Sequence, residues 1–344
     1  MALSQQTLTG CFARLGIAFG VLDLGPRLTL VVTTAGGRVF GPFEDGIDAL
    51  GWSPDATAFE AALLTGQWNI GGERVWLAPE RMFNFSDPAR MLDTYHVDPA
   101  LDPGNWNLTL TPVGALLETS LTMRRSDGGT LVSVTLSRHV RPLRPAERGN
   151  LPDGLIMAGY RQAIEVAHPT LNDGSAIVPW LIRQVVLGGD AVLSASGLES
   201  GQCVFGTPPT AAITPQSAAW RVPFGPQGFF KTSYSRQAIA FGGFSYIITD
   251  KGRATAVVLR PNLAAPGRYP ETLPNAPRSP DQAAALFRDD GQFGTYGELE
   301  LYGHVSGEAR GALMCDALIL TGAATAVLAA MADQATEISS MPIS

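Results

Sequence analysis

Two segments concentrate side chains able to move protons or grip a polar ligand. In Gly71-Gly72-Glu73-Arg74-Val75-Trp76-Leu77-Ala78-Pro79-Glu80, strand alternation puts Val75 and Leu77 on one face and Arg74, Trp76 and Glu80 on the other. A guanidinium fork, an indole plane and a carboxylate suit a hydroxyl-rich ring, because they supply donors, an apolar surface and an acceptor. A solvated face carrying an Arg–Glu pair would read the same way. In Gly294-Thr295-Tyr296-Gly297-Glu298-Leu299-Glu300-Leu301-Tyr302-Gly303-His304, Leu299 and Leu301 face one way and Glu298, Glu300, Tyr302 and His304 the other. Carboxylates at i and i+2 lie about 6.5 to 7 Å apart along a strand. If that face is partly buried, their repulsion raises at least one of them and makes an acid or base that works near neutrality. An exposed edge strand would carry the same pattern.

A third segment runs from Gln162 through Glu165 and His168 to Asp173, followed by Ile177-Val178-Pro179-Trp180-Leu181-Ile182-Arg183. His168 shares the parity of Ile164 and Val166, which fits either a hydrogen-bonded core histidine or one in an apolar groove. His139, on the Ser133, Thr135, Ser137 face, and His96, in a Tyr-His-Val loop, are weaker candidates. Lys231 is notable because it and Lys251 are the only lysines in the chain. The four histidines form no ligand pair, and no HExxH, GxSxG, Walker or strand-borne GxGxxG pattern occurs, so no metal or cofactor is called for.

The elements that must position these groups are mostly strands. Period-2 runs at 28–33 and 38–43, 115–124 and 130–140, and 238–249 and 253–259 flank short Gly-containing turns, each a hairpin signal. Further strands are expected at 74–78, 107–111, 162–171, 177–187 and 295–302. Helical pattern is confined to 55–64, 281–287 and 323–334. Strands do not alternate with helices, which argues against a doubly wound parallel sheet and for an antiparallel architecture with peripheral helices. Pro-rich loops at 87–104, 141–154 and 261–280 fall between strands, with no linker or fixed-period repeat, so residues 1–344 are expected to form a single domain.

Composition agrees. The 344 residues include 38 Gly and 25 Pro, 45% are hydrophobic and 16% charged, and the net charge is −7. That is a chain of many turns around a real core, without the basic face a nucleic-acid binder needs. Cys11, Cys203 and Cys315 form no CxxC, which argues for reduced, buried thiols. The first residues lack a signal-peptide pattern, and the uncharged stretch 317–332 is shorter than the roughly 20 apolar residues that span a bilayer. A cytoplasmic protein without membrane or nucleic-acid partners is expected, as a monomer or homodimer.

Taken in order, these segments resemble the galactose mutarotase-like (aldose 1-epimerase-like) superfamily. The stretch 71–80 is similar to a Gly-Gly-x-Arg-Leu-Trp-x-Ala-Pro-Glu pattern of several relatives; 165–173 with Val178-Pro179-Trp180 is similar to a strand, an Asn-x-Gly turn and an Ala-Pro-Trp strand; and 293–300 corresponds to the strand that brings the catalytic glutamate in mutarotases. The likeness runs from about residue 20 to residue 335. It implies an antiparallel β-supersandwich with a few short peripheral helices. It also implies acid/base ring opening of a free sugar or sugar derivative, with Glu298 or Glu300 as base and His168 as acid. Arg74, Trp76, Glu80, Trp180, Arg183, Lys231, Tyr302 and His96 would contact a small carbohydrate or oligosaccharide. The Asn-Arg pair and paired histidines of well-studied epimerases are not cleanly present. A glycoside hydrolase or polysaccharide lyase on the same scaffold, and a non-catalytic carbohydrate-binding protein, are the alternatives.

Overall fold

A computed structural model describes residues 3–339 apart from 26, 127–128, 150–152, 169–170, 172–174, 195–200, 211, 215–218, 240–242, 264–267, 274–275 and 307–309. The 172–174 turn of the resemblance therefore lies outside the described residues. Among the described residues, every paired strand is antiparallel. One sheet has nine strands in the order Phe19–Gly25, Leu28–Thr33, Arg38–Glu44, Glu73–Ala78, Val178–Val186, Tyr296–Tyr302, Gln282–Arg288, Phe230–Ser235 and Gln202–Gly206. The second has eleven. Its path is Ala212–Thr214, Ala219–Pro223, Asp190–Ser194, Phe244–Asp250, Arg253–Pro261, Arg310–Ala323, Ile156–Ala167, Leu131–Pro142, Gly114–Arg124 and Asn107–Thr111, with His304–Val305 paired onto Arg310–Ala323. The expected hairpins and most of the expected strands are thus present, except that the run expected at 238–249 begins in the short helix Arg236–Ile239 and is strand only from Phe244, and the fold is an all-β sandwich.

One apolar cluster joins the facing sides of the two sheets, with Leu30, Leu181 and Leu301 from the first and Leu136, Ile164 and Ile319 from the second. Smaller clusters seat helices on the outer faces. Gln5–Leu15 and Ala56–Thr65 bring Phe12 and Phe59 against Phe40, and Ala324–Ser339 sets Val327 and Ala330 on Leu318 and Leu320. Local capping explains where the first two helices begin and end: Ser4 and Asp55 accept N–H groups of the first turn, and Gly16 and Gly66 close them at φ 67° and 66°.

The segment 281–287 is a correction. It forms the strand Gln282–Arg288, hydrogen-bonded on one side to Phe230–Ser235 and on the other to Tyr296–Tyr302. Its Ala and Leu residues favour helix intrinsically, but buried pairing on both edges outweighs that preference.

Arg183 is a second correction. It points between the sheets, where Nη1 donates to the Tyr160 hydroxyl at 2.8 Å and Nη2 to the Gly41 carbonyl at 2.8 Å, with Glu73 Oε2 at 3.4 Å. Arg138 also pairs with Glu73 in this buried layer. Alternation explains the placement: Trp180 and Arg183 are three apart on one strand, so they must leave opposite faces.

Candidate functional site

The outer face of the nine-stranded sheet carries the site, and strand register assembles it. Directly opposed residues share a face, and the pairs Trp76–Trp180, Trp180–Tyr302, Gln184–Glu298, Glu298–Phe287, Phe287–Lys231 and Lys231–Phe205 link the sheet laterally. One face therefore carries Arg74, Trp76, Trp180, Gln184, Glu298, Glu300, Tyr302, Lys231 and Phe205. The Glu73–Ala78 strand starts at a Gly-Gly turn with both φ values positive, 86° and 73°. A Cβ on Gly71 would stand 2.3 Å from the Trp52 carbonyl oxygen, so no larger residue fits there. Of these groups Arg74, Trp180, Lys231, Phe205, Glu298 and Glu300 line a cleft of about 560 Å³ of atom-free space that is partly open to solvent.

At the floor, Glu300 is fully buried and fixed through one oxygen. Its Oε2 accepts from Trp180 Nε1 at 3.0 Å and from the Tyr302 hydroxyl at 2.9 Å, with Lys231 Nζ at 3.0 Å. Its Oε1 is buried and has no partner among the described residues. Lys231 also reaches Glu80 Oε2 at 2.7 Å and lies 4.7 Å from the Trp180 ring centroid. Burial opposes its charge, but the Glu300 and Glu80 carboxylates outweigh burial and hold the ammonium well above its ordinary pKa. To span from its own strand to Glu300, the Lys231 stem crosses the intervening strand where Ala285 opposes Glu300. The small side chain there leaves the path open.

Glu298 Oε1 accepts from Arg74 Nη2 at 2.7 Å and Gln184 Nε2 at 3.1 Å. The Arg74 guanidinium is stacked 4.3 Å from the Trp76 ring, and its Nε and Nη1 are buried without partners among the described residues. Trp76 is itself buried, with Nε1 donating to Asp102 at 2.9 Å, so it backs Arg74 and does not face the ligand space. Burial pushes the Glu298 carboxyl above its ordinary value, Arg74 pulls it back, and the Glu300 charge pushes it up again. Burial likewise raises Glu80, opposed by Lys231 and reinforced by Glu300. Two cations thus face three carboxyls in a poorly solvated cleft, an arrangement that favours keeping one carboxyl protonated near neutrality.

Sequence reasoning missed Glu271, which lies in a Pro-rich connection with no periodic signal. It is buried in a side hollow of about 300 Å³ that shares Glu80 and Lys231 with the main cleft. Its Oε2 accepts from the Glu80 N–H at 2.7 Å and its Oε1 from the Thr272 N–H at 3.0 Å. Burial and the Glu80 charge push its carboxyl up to about 7, from an ordinary 4.5. Because the folded-state pKa is raised, this group favours folding most below pH 4.5, and that contribution falls by about 3 kcal/mol as pH rises through 7. Glu271→Gln is expected to flatten this slope. Urea unfolding of both proteins from pH 4.5 to 8 checks it, and parallel stability curves would overturn the assignment.

No histidine lines the cleft among the described residues. His168 follows the strand Ile156–Ala167 and lines a shallow hollow with Ser120, Thr122, Ser133 and Thr135, none of which borders the carboxylate cleft. His96 is exposed; the neighbouring Tyr95 is the one that lines the cleft. His304 leaves the Glu298 face because the strand ends at Tyr302. It pairs with Ala312 in the other sheet, its ring centroid 5.8 Å from that of Tyr269. The structure therefore brings together Arg74, Glu80, Trp180, Lys231, Glu298, Glu300 and Tyr302, and leaves Arg183, His168 and His96 apart.

No family model matches the sequence, and no curated protein matches it. Solved structures do. A galactose mutarotase-like protein from Lactobacillus casei ATCC 334 aligns over 89% of this chain and 99% of its own, at 10% identity and a TM-score of 0.45. The protein HI1317 aligns over 88% and 92%, at 11% identity and a TM-score of 0.39. A 4-alpha-glucanotransferase from Thermococcus litoralis aligns over 88% of this chain and 39% of its own, at 10% identity and a TM-score of 0.29. The protein is an antiparallel all-β sandwich of two large sheets with short peripheral helices, similar in outline to these chains.

Proposed function

We propose that the protein is a carbohydrate-active enzyme of the aldose 1-epimerase type, interconverting the anomers of a free sugar or sugar derivative by acid/base ring opening. The observation that carries this reading is Glu300: one carboxylate oxygen is held by Trp180, Tyr302 and Lys231, and the other is buried at the cleft floor with no partner among the described residues. Such a carboxylate is oriented and desolvated, and it is free to accept a proton through Oε1. Glu300 takes the proton of the anomeric hydroxyl. The C1–O5 bond breaks as Glu298, raised by burial, gives its proton to the ring oxygen. The resulting aldehyde turns about C1–C2 and closes on its other face as both protons return. Two carboxyls with different surroundings thus divide the acid and base roles, and Arg74 offers its unpartnered N–H groups to a substrate oxygen.

Proton NMR of freshly dissolved α-aldoses tests this. Equilibration faster with protein than without, for at least one member of a panel of free aldoses, is the expected result; no acceleration across the panel would overturn it. With Glu298 as donor, His168→Asn is expected to equilibrate the substrate at the wild-type rate, and a collapse of that rate would return the acid role to His168. Glycoside hydrolysis is less well supported. Its two carboxyls must flank the scissile bond, whereas Lys231 fills the space between Glu80 and Glu300, and Glu298 and Glu300 leave the same strand face.

A further inference from the structure

The cleft joins a charged floor to largely apolar and aromatic sides, Trp68, Tyr95 and Tyr296 among them. Arg74, Glu80, Lys231, Glu298 and Glu300 are its charged lining residues. Above them two apolar walls rise from separate elements. One is formed by Val204 and Phe205 of the edge strand Gln202–Gly206, with Phe205 stacked on Phe229 at 5.1 Å between centroids and set edge-on to Phe287 at 6.1 Å. The other is formed by Met91 and Leu92, with Phe293 lying 5.4 Å from Tyr95 and 5.8 Å from Trp68. Leu92 is 39% exposed, and Val204, Phe205, Met91 and Phe293 are half-buried.

A free aldose has hydroxyls on every side. Its lower face finds partners at the floor, but any hydroxyl turned toward Met91, Leu92, Val204, Phe205 or Phe293 would meet side chains that neither donate nor accept, and burying unpaired hydroxyls is costly. Met91, Leu92 and Val204 also lack the flat ring face that stacks on a pyranose, and they suit a flexible hydrocarbon. Apolar side chains held this close around the mouth of a charged floor mark a surface that a ligand covers.

We propose that the ligand is amphiphilic: a sugar whose ring sits on the Arg74–Glu298–Glu300 floor and whose alkyl or acyl substituent, carried away from C1, lies between the two apolar walls. The inference rests on the proposed sugar chemistry of the same floor and names its substrate class.

Binding of methyl, butyl and hexyl 6-ethers of glucose, galactose and mannose, all with a free anomeric carbon, tests it by titration calorimetry below micellar concentrations. Full burial of the chain would tighten binding about fourfold per methylene, and at least twofold per methylene is expected for one of the three sugars. Leu92→Ser and Val204→Ser are expected to bring the hexyl ether's affinity down toward that of the methyl ether. A hexyl ether that binds no tighter than the methyl ether, or a gain that survives both substitutions, would overturn the proposal while leaving the sugar reading standing. Binding of 1-hexanol with the same dependence on Leu92 and Val204, with no sugar ether bound more tightly than the alcohol, would overturn both.

Discussion

Glu300→Gln is expected to lower the catalysed rate of anomer exchange by about two to four orders of magnitude, the usual range for losing a positioned general base. The exchange is nearly isosteric. The glutamine oxygen still accepts from Trp180 Nε1 and the Tyr302 hydroxyl, and Lys231 keeps Glu80. What disappears is the basic oxygen at the cleft floor. Circular dichroism and sugar affinity therefore distinguish lost chemistry from lost structure: folding and binding persist while the rate falls. A variant that binds sugar and retains the wild-type rate would remove Glu300 from the mechanism. The wild-type rate is expected to fall at high pH as Glu298 loses the proton it must donate. Because burial raises Glu298, that fall begins at a higher pH than an ordinary glutamate would give.

Lys231→Met is expected to destabilise the folded protein strongly. Methionine matches the length of the lysine stem and can lie over Trp180, so packing is largely kept and the effect is electrostatic. Without the ammonium, Glu80 and Glu300 face each other at the cleft floor, and breaking a buried pair by removing one partner typically costs about 3–5 kcal/mol. The sign of the pH dependence follows. Burial and the Glu300 charge already raise the Glu80 carboxyl, and without the ammonium that opposes them its folded-state pKa lies further above its unfolded one, so the deficit is small near pH 4 and grows as pH rises. Urea unfolding at pH 4.5, 6 and 8 measures it. A deficit below about 1 kcal/mol, the range of an exposed ion pair, or one that is flat with pH, would sink this account of the lysine.

Much of the site was legible in the chain because its strands alternate chemically. Leu299 and Leu301 face the other sheet while Glu298, Glu300 and Tyr302 face the cleft, and Val75 and Leu77 divide from Arg74 and Trp76 in the same way. The scarcity of lysine also pointed to Lys231: in a chain that uses arginine almost everywhere, a compact ammonium is what fits between two carboxylates on an indole face. What was lost has equally specific causes. Arg183 violates the parity of Trp180, so it could not share that cleft. His304 continues the parity of Glu300 past the end of the strand. Glu271 sits in a non-periodic connection, and only the three-dimensional course of that connection brings it to Glu80. The helix Gln5–Leu15 lies outside the expected helical segments although Ser4 and Gly16 mark both of its ends.

The strand Glu73–Ala78 has buried residues on both faces, and its first two charges point opposite ways. Glu73 meets Arg138 and Arg183 between the sheets, and Arg74 meets Glu298 in the cleft. Sliding this strand by one residue would set either Arg74 against Arg138 and Arg183 or Glu73 against Glu298, so a slip in either direction brings like charges together. In most sheets a slipped register is penalised by exposed hydrophobics; here, with apolar residues on both faces, opposite charges guard against it. The arginine that would grip the ligand thus also acts as a checkpoint on folding fidelity, and neutral drift at either position is constrained even where catalysis is not under selection.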